Sequence, residues 1–269
     1  MWRAFISSAW YLSLVCGFSL IWLPTDIAAE TLNLPRPFNQ ASRPDEPFGL
    51  PTANVTTGAL LDRWLKVEEE MEAERLVIRS CEENRASCAS GAALQFLSII
   101  DSGRTSEGRG RLGKINRAVN LSIRPMSDLS INGEEDVWSS PLTTLGIGAG
   151  DCEDYAIAKF LALQQAGVSS NDLRIVLLRD NFRGEDHAVV AARLDGNWLI
   201  LDNRHMAMVE DRKMPNYQPV FLIDRDGVKS YIDPSSAPNA SHLVRRLGFS
   251  LSKTNTRAQM RRIAARRPQ

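Results

Sequence analysis

The chain lacks net charge: across 269 residues, 32 lysines and arginines balance 32 aspartates and glutamates. That excludes a globally basic nucleic-acid binder. It lacks internal repeats and low-complexity blocks, so a 43% hydrophobic chain of this length has enough for one sizeable core, or at most two small ones. Acids are missing from Leu243 to Gln269, which carry eight lysines and arginines, so the rest of the chain has 24 basic and 32 acidic side chains and a balance of −8. Residues 251–269 also lack a bulky apolar face and read as a basic flexible tail, solvated or touching anionic lipid or an acidic partner.

Cysteine is scarce, with four in the chain. Cys16 falls in an N-terminal apolar stretch. There Arg3 is the only charge before Asp26, residues 4–23 are mostly apolar, and Ile27-Ala28-Ala29 offers a small-residue cleavage site. Residues 1–29 therefore read as an export signal and place the protein in the periplasm, with an uncleaved inner-membrane anchor as the alternative, because about 20 apolar residues can span a bilayer. Val15 before Cys16 argues against a lipoprotein. Cys81 and Cys88, seven apart in a short polar connection, would close a small disulfide loop in an oxidising compartment. Cys152 is then the unpaired thiol, a liability there unless buried or used.

Residues 30–58 hold five prolines with few periodic apolar positions and read as an extended lead-in. Apolar spacing predicts helices over 59–80, 92–101 and 111–123, and a fourth from Cys152 to near Gly167. The pattern then changes to strands at 173–178, 187–194, 198–201 and 219–223, with Asp195-Gly196-Asn197 marking a tight hairpin. Helices followed by an antiparallel sheet predict an α+β domain over 59–250.

The run from Gly146 to Lys159 reads as a glycine-rich loop that stops at Cys152, where a helix opens. The helix dipole at such a position lowers a thiol pKa, and glycines let backbone pass close to a ligand. Downstream, His187 begins one strand of the hairpin and Asp202 ends the other, which sets a base beside an orienting carboxylate. His205 is the rival base, but no hairpin places a carboxylate against it.

Gly-Asp-Cys-Glu-Asp-Tyr-Ala at 150–156, followed by His and Asp on successive strands, resembles the bacterial transglutaminase-like cysteine proteinase family, whose LapG-type members are periplasmic proteases. The resemblance extends through Lys114-Ile115-Asn116-Arg117-Ala118-Val119-Asn120, Asp136-Val137-Trp138-Ser139-Ser140-Pro141 and Leu201-Asp202-Asn203, over about residues 60–225. It implies a papain/transglutaminase-like core with Cys152 as nucleophile, His187 as general base and acid, and Asp202 as orienting residue. It also implies a protein substrate, a large surface adhesin clipped near its N-terminus, and restraint by an inner-membrane receptor that responds to cyclic di-GMP. The expected form is a monomer. The sequence departs from the family at Leu142, where Thr-Pro-Glu is usual.

Three acids crowd the cysteine: Asp151, Glu153 and Asp154. They can be helix caps, with Asp151 as N-cap. Carboxylates beside a thiol disfavour the thiolate, and a cation would cancel that repulsion. Hard oxygen donors in an exported protein point to calcium, which the resemblance also implies, with Asp151 and Glu153 as ligands. Trp138 packs on the core or lends its indole N–H to an oxyanion site, alongside the Cys152 backbone N–H. The leading expectation is a thiol endopeptidase. Transfer of the acyl group to an amine and a non-catalytic exported binding module are the alternatives; Asp202 argues against a cell-wall amidase, which would more often use a second His.

Overall fold

The computed structural model describes residues 45–134 and 136–232. The expected export signal, residues 30–44 of the lead-in and the basic tail lie outside the described residues, as do 233–250.

Helix α1 (Ala59–Glu83) buries Leu60, Trp64, Val67, Met71 and Ile78, the stripe that a one-sided helix presents. Trp64 meets Phe160 edge to face. The helix runs past residue 80 and carries Cys81 into its last turn, where a disulfide joins it to Cys88. Ser90 then caps α2 (Gly91–Arg104) by accepting the Ala93 N–H at 3.1 Å. Closing so short a loop constrains the unfolded chain modestly. The Cys81→Ser/Cys88→Ser variant should lose about 2.5 kcal/mol of unfolding free energy, read from urea titrations, and reduction of the wild type should give the same loss.

Helix α3 (Gly108–Ser122) buries Leu112, Ile115, Asn116 and Val119. The chain then passes through β2 (Arg124–Pro125), α4 (Asp128–Asn132), α5 (Pro141–Ile147) and β3 (Ala149–Gly150) into α6 (Cys152–Gln165). β2 and β3 pair in parallel, Arg124 opposite Ala149 and Pro125 opposite Gly150. This short ladder brings α4 beside the start of α6. α6 is buried from Asp154 to Leu163, on every side, because α2, α3 and α5 pack around it while the strands β4 (Leu173–Asp180) and β5 (Glu185–Leu194) lie beneath.

The main sheet is antiparallel in the order β1-β9-β8-β4-β5-β6-β7. Its strands are β1 (Thr52–Asn54), β4 (Leu173–Asp180), β5 (Glu185–Leu194), β6 (Asn197–Leu201), β7 (Val209–Glu210), β8 (Tyr217–Asp224) and β9 (Gly227–Tyr231). β5 shows the period of two: Ala188, Val190 and Ala192 join the helical core, while Val189 and Ala191 join a second cluster with Val176, Leu178, Trp198 and Ile200. The β5–β6 turn is the two-residue Asp195-Gly196 loop, with φ of 50° and 75°. Asn197 is thus the first residue of β6, not part of the turn.

The lead-in is not wholly outside the domain. β1 adds an edge strand to β9, and Asp45 and Glu46 lie across the outer sheet face. The Trp198 indole N–H donates to the Asp45 carbonyl at 3.1 Å, and the Arg174 and Arg193 guanidinium groups stand over the Trp198 ring, their central carbons 5.2 and 5.4 Å from its centroid. Glu46 pairs with Arg174 at 2.7 Å. Proline content could not show that a three-residue stretch would find a strand to pair with.

Candidate active site

The glycine-rich segment is not a ligand-cradling loop. Gly146 lies inside α5, and Gly148, at φ 70°, caps that helix in the left-handed region. Gly150 is required by a close approach, but the approaching group is Asp154: a Cβ on Gly150 would sit 2.6 Å from Asp154 Oδ2. That oxygen accepts the Asp151 N–H at 3.3 Å, and Oδ1 accepts the Ser139 N–H at 2.9 Å. Asp154 thus fixes the entry to α6 and presents Cys152 at its first position.

The departure at Leu142 falls at the α5 N-terminus. Glu74, from α1, accepts the Ser140 hydroxyl at 2.6 Å and the Leu142 and Thr143 N–H groups at 3.0 and 3.2 Å. A carboxylate from another helix thus caps the N-terminus of α5, where this chain has Leu142.

His187 and Asp202 come together as the hairpin predicted, though not by simple register. Val190 pairs with Leu201, and continuing that ladder would set Arg204 opposite His187. Instead β6 ends at Leu201 and the chain turns, with Asp202 Oδ1 accepting the Arg204 N–H at 2.9 Å. The same oxygen meets His187 Nε2 at 2.9 Å. Both side chains are buried. Tyr217, on β8, donates its hydroxyl to Asp202 Oδ2 at 2.7 Å and stands edge-on to the His187 ring. Burial opposes ionisation of Asp202, but His187, the Arg204 N–H and the Tyr217 hydroxyl outweigh it and hold the carboxyl well below its ordinary range. His187 Nδ1 is buried with no hydrogen-bond partner among the described residues. The Cys152 sulfur lies against the Ala188 N–H, the next residue along β5. Tyr217→Phe should therefore lower kcat about tenfold with little change in KM, and lower the melting temperature as well, because it strips one bond to a buried charged acceptor; steady-state kinetics normalised to folded protein reads the first directly.

The Cys152 thiol differs from expectation in its acidity. Its Sγ donates to Glu153 Oε2 at 3.0 Å. Burial first, then the Glu153 charge and hydrogen bond and the Asp151 charge, push the thiol up, against the Ala188 N–H that lowers it. The helix dipole does not prevail over two carboxylates in a dry site. Trp138 is buried, but its indole N–H donates to Asp136 Oδ1 at 3.2 Å. That engagement removes it from the expected oxyanion role. Trp138 instead lines a cavity of about 270 Å³ together with Leu177, Val220, Phe221, His187 and Glu153. Val220 is the extra residue of a β-bulge, since Leu177 pairs with Phe221 and Leu178 with Pro219.

Asp128, Asp151 and Asp154 form a group whose ligand atoms lie within 4.8 Å of one another. Asp151 was expected there; Glu153, also expected, is outside the group, and its Oε2 accepts the Cys152 thiol instead. Asp128 arrives through the β2–β3 pairing, a contact that no sequence spacing signals. Asp151 Oδ1 is buried and unpartnered, as an oxygen would be where a cation belongs. Burial and then the neighbouring carboxylates raise all three acids, Asp151 to about 10 and Asp154 to about 7. Such a set suits a hard divalent ion. Lys159, two turns along α6, is also buried, and burial lowers it to about 7 against the Asp202 charge.

Residues 75–222, over half the chain, match the family model described as bacterial transglutaminase-like cysteine proteinase BTLCP. The chain belongs to that family. This cysteine peptidase is similar to the calcium-bound structure of Legionella pneumophila LapG at 24% identity, covering 63% of this chain and 98% of that one, with a TM-score of 0.49. The EGTA-treated form of the same protein matches at 25% identity over 63% and 97% of the two chains, again with a TM-score of 0.49. No curated relative matches the proteinase.

Proposed function

We propose that the proteinase is a periplasmic thiol endopeptidase with a Cys152-His187-Asp202 triad and a calcium ion at Asp128, Asp151 and Asp154. The observation that carries this reading is the His187 ring: Nε2 is bound to Asp202, buried Nδ1 has no partner among the described residues, and the N–H of the next residue, Ala188, meets the Cys152 sulfur. His187 Nδ1 accepts the thiol proton, and Sγ attacks the scissile carbonyl carbon. The oxyanion takes the Cys152 N–H at the helix start. The imidazolium then protonates the leaving amine, the C–N bond breaks, and a thioester remains. His187 next takes a proton from water, whose oxygen displaces Sγ and releases the carboxylate, while Asp202 stays ionised throughout. Calcium would supply positive charge that offsets the repulsion of the thiolate by nearby carboxylates. The orphaned Asp151 Oδ1 and the hard donor set support it, as does the calcium-bound LapG structure.

The Cys81–Cys88 disulfide and the N-terminal sequence support export. The proposed substrate is a large surface adhesin, and the proposed regulator is an inner-membrane receptor for cyclic di-GMP. The test compares proteins released from cells carrying wild type or Cys152→Ala. The wild type is expected to release a large surface protein that the variant retains; identical release from both overturns adhesin processing.

A further inference from the structure

The turn that carries Asp202 has no strand to hold it. β6 ends at Leu201 and β7 begins at Val209. The carbonyls of Asp202, His205 and Met206 nonetheless face α3, where each takes a side-chain donor in place of a strand partner. Two asparagines one helical turn apart meet them. Asn120 Nδ2 donates to the Asp202 carbonyl at 2.9 Å and to the His205 carbonyl at 3.3 Å. Asn116 Nδ2 donates to the His205 and Met206 carbonyls, both at 3.2 Å. Asn116 is fully buried.

Asparagine is an unfavoured residue within a helix, and a buried amide destabilises the fold unless hydrogen-bonded. Its presence twice on one face of α3, with both donors aimed at a single turn, calls for a cause in that turn. The two residues are also the asparagines of Lys114–Asn120, a motif for which the triad itself has no use. The exposed His205 side chain takes no part; only its carbonyl does.

We infer that Asn116 and Asn120 are positioning residues for Asp202. They fix the turn from behind while the Tyr217 hydroxyl and His187 Nε2 hold the carboxylate from in front. Arg204 closes the third side, its guanidinium bound to Asp180 at 3.0 Å and to Glu185 at 2.6 Å, which ties the turn to the β4–β5 hairpin leading into His187. With the asparagine donors removed, the turn shifts outward to find water for its carbonyls. Asp202 then loses its line to Nε2, and the imidazole loses its orientation toward Cys152.

The inference rests on the triad reading, and a double-mutant cycle separates the two. Iodoacetamide alkylation of Cys152 is the probe, measured in calcium-containing buffer and expressed per folded molecule. Asp202→Asn slows alkylation. Asn120→Leu slows it by up to about 100-fold, as a misplacement near 1 Å can, and adds nothing further in the Asp202→Asn background. Asn120→Gln, which keeps an amide donor, recovers most of the rate. Asn116→Leu behaves as Asn120→Leu does, and Asn120→Ala serves if the leucine variants do not fold. Thr144→Val deletes a buried hydrogen bond to the Ser140 carbonyl elsewhere, and it lowers the melting temperature without slowing alkylation. A wild-type rate in Asp202→Asn overturns the triad reading and the positioning role with it. A slowed Asp202→Asn beside an unslowed Asn120→Leu, or effects that multiply in the double variant, overturns the positioning role alone.

Discussion

His187→Ala should lower peptide-bond cleavage about 10⁴- to 10⁶-fold, while His205→Ala leaves it essentially intact. The two histidines lie within one hairpin and its following turn, yet their surroundings are opposite. The His187 side chain is wholly buried, bound through Nε2 to a carboxylate that burial alone would neutralise, with Nδ1 free of any partner among the described residues. Removing it leaves Asp202 as a buried charge lacking its strongest partner and removes the imidazole base, while the thiol proton stays hydrogen-bonded to Glu153. The cysteine is already held in its protonated form by burial and by Glu153, so no alternative route to the thiolate compensates. His205 is exposed, and its contribution is a main-chain carbonyl that alanine supplies equally well. Cleavage of one substrate protein by both variants, normalised to folded protein, decides the matter. Equal losses would overturn the assignment of the base.

Calcium added to metal-free protein should raise the melting temperature by a margin that widens as pH rises. In the metal-free fold Asp154 titrates at about 7 and Asp151 at about 10, burial being the largest cause for each. Unfolded aspartates titrate near 3.9. Between those values the folded chain binds more protons than the unfolded one, so stability declines with rising pH. The contribution is whole below about pH 4, lost through about pH 7 for Asp154 and toward about pH 10 for Asp151. A divalent ion replaces those protons and removes the decline. At a hundredfold excess over its Kd it adds about 2.7 kcal/mol, or about 5–10 °C in a domain of this size. Thermal scans near pH 5 and near pH 8, with chelator or calcium, should show a small shift at the lower pH and a large one at the higher. Asp151→Asn should raise the metal-free melting temperature near pH 8 and lose the calcium response. A pH-independent shift, or none, would count against the site.

What the sequence made legible was whatever local chemistry dictates. Asp195-Gly196 announced a turn that needs positive φ, and that turn brought His187 and Asp202 into one neighbourhood. The α1 and α3 stripes announced their buried faces. The misreadings share a different cause. Gly146, Gly148 and Gly150 looked like one loop, but each serves a separate neighbour: a helix interior, a helix cap and the Asp154 side chain. Cys152 looked acidified by the dipole because the desolvation of its site and the aim of Glu153 are tertiary facts. Asp128 and Tyr217 carried no signal, since one reaches the site through a two-residue parallel ladder and the other through β8, both remote in sequence. Asn116 and Asn120 were visible as a motif, and their targets only became clear once the Asp202 turn lay against α3.

The strap formed by residues 45–54 redraws the boundary of the folding unit. Trimming the chain to residue 59, where helical periodicity begins, would strip β9 of its edge partner and uncover Trp198 with the two guanidinium groups stacked on it. A bared strand edge beside an aromatic patch is a template for intermolecular pairing. The smallest soluble form of the catalytic unit therefore starts at or before Asp45, and the proline-rich approach behaves as a built-in seal against self-association.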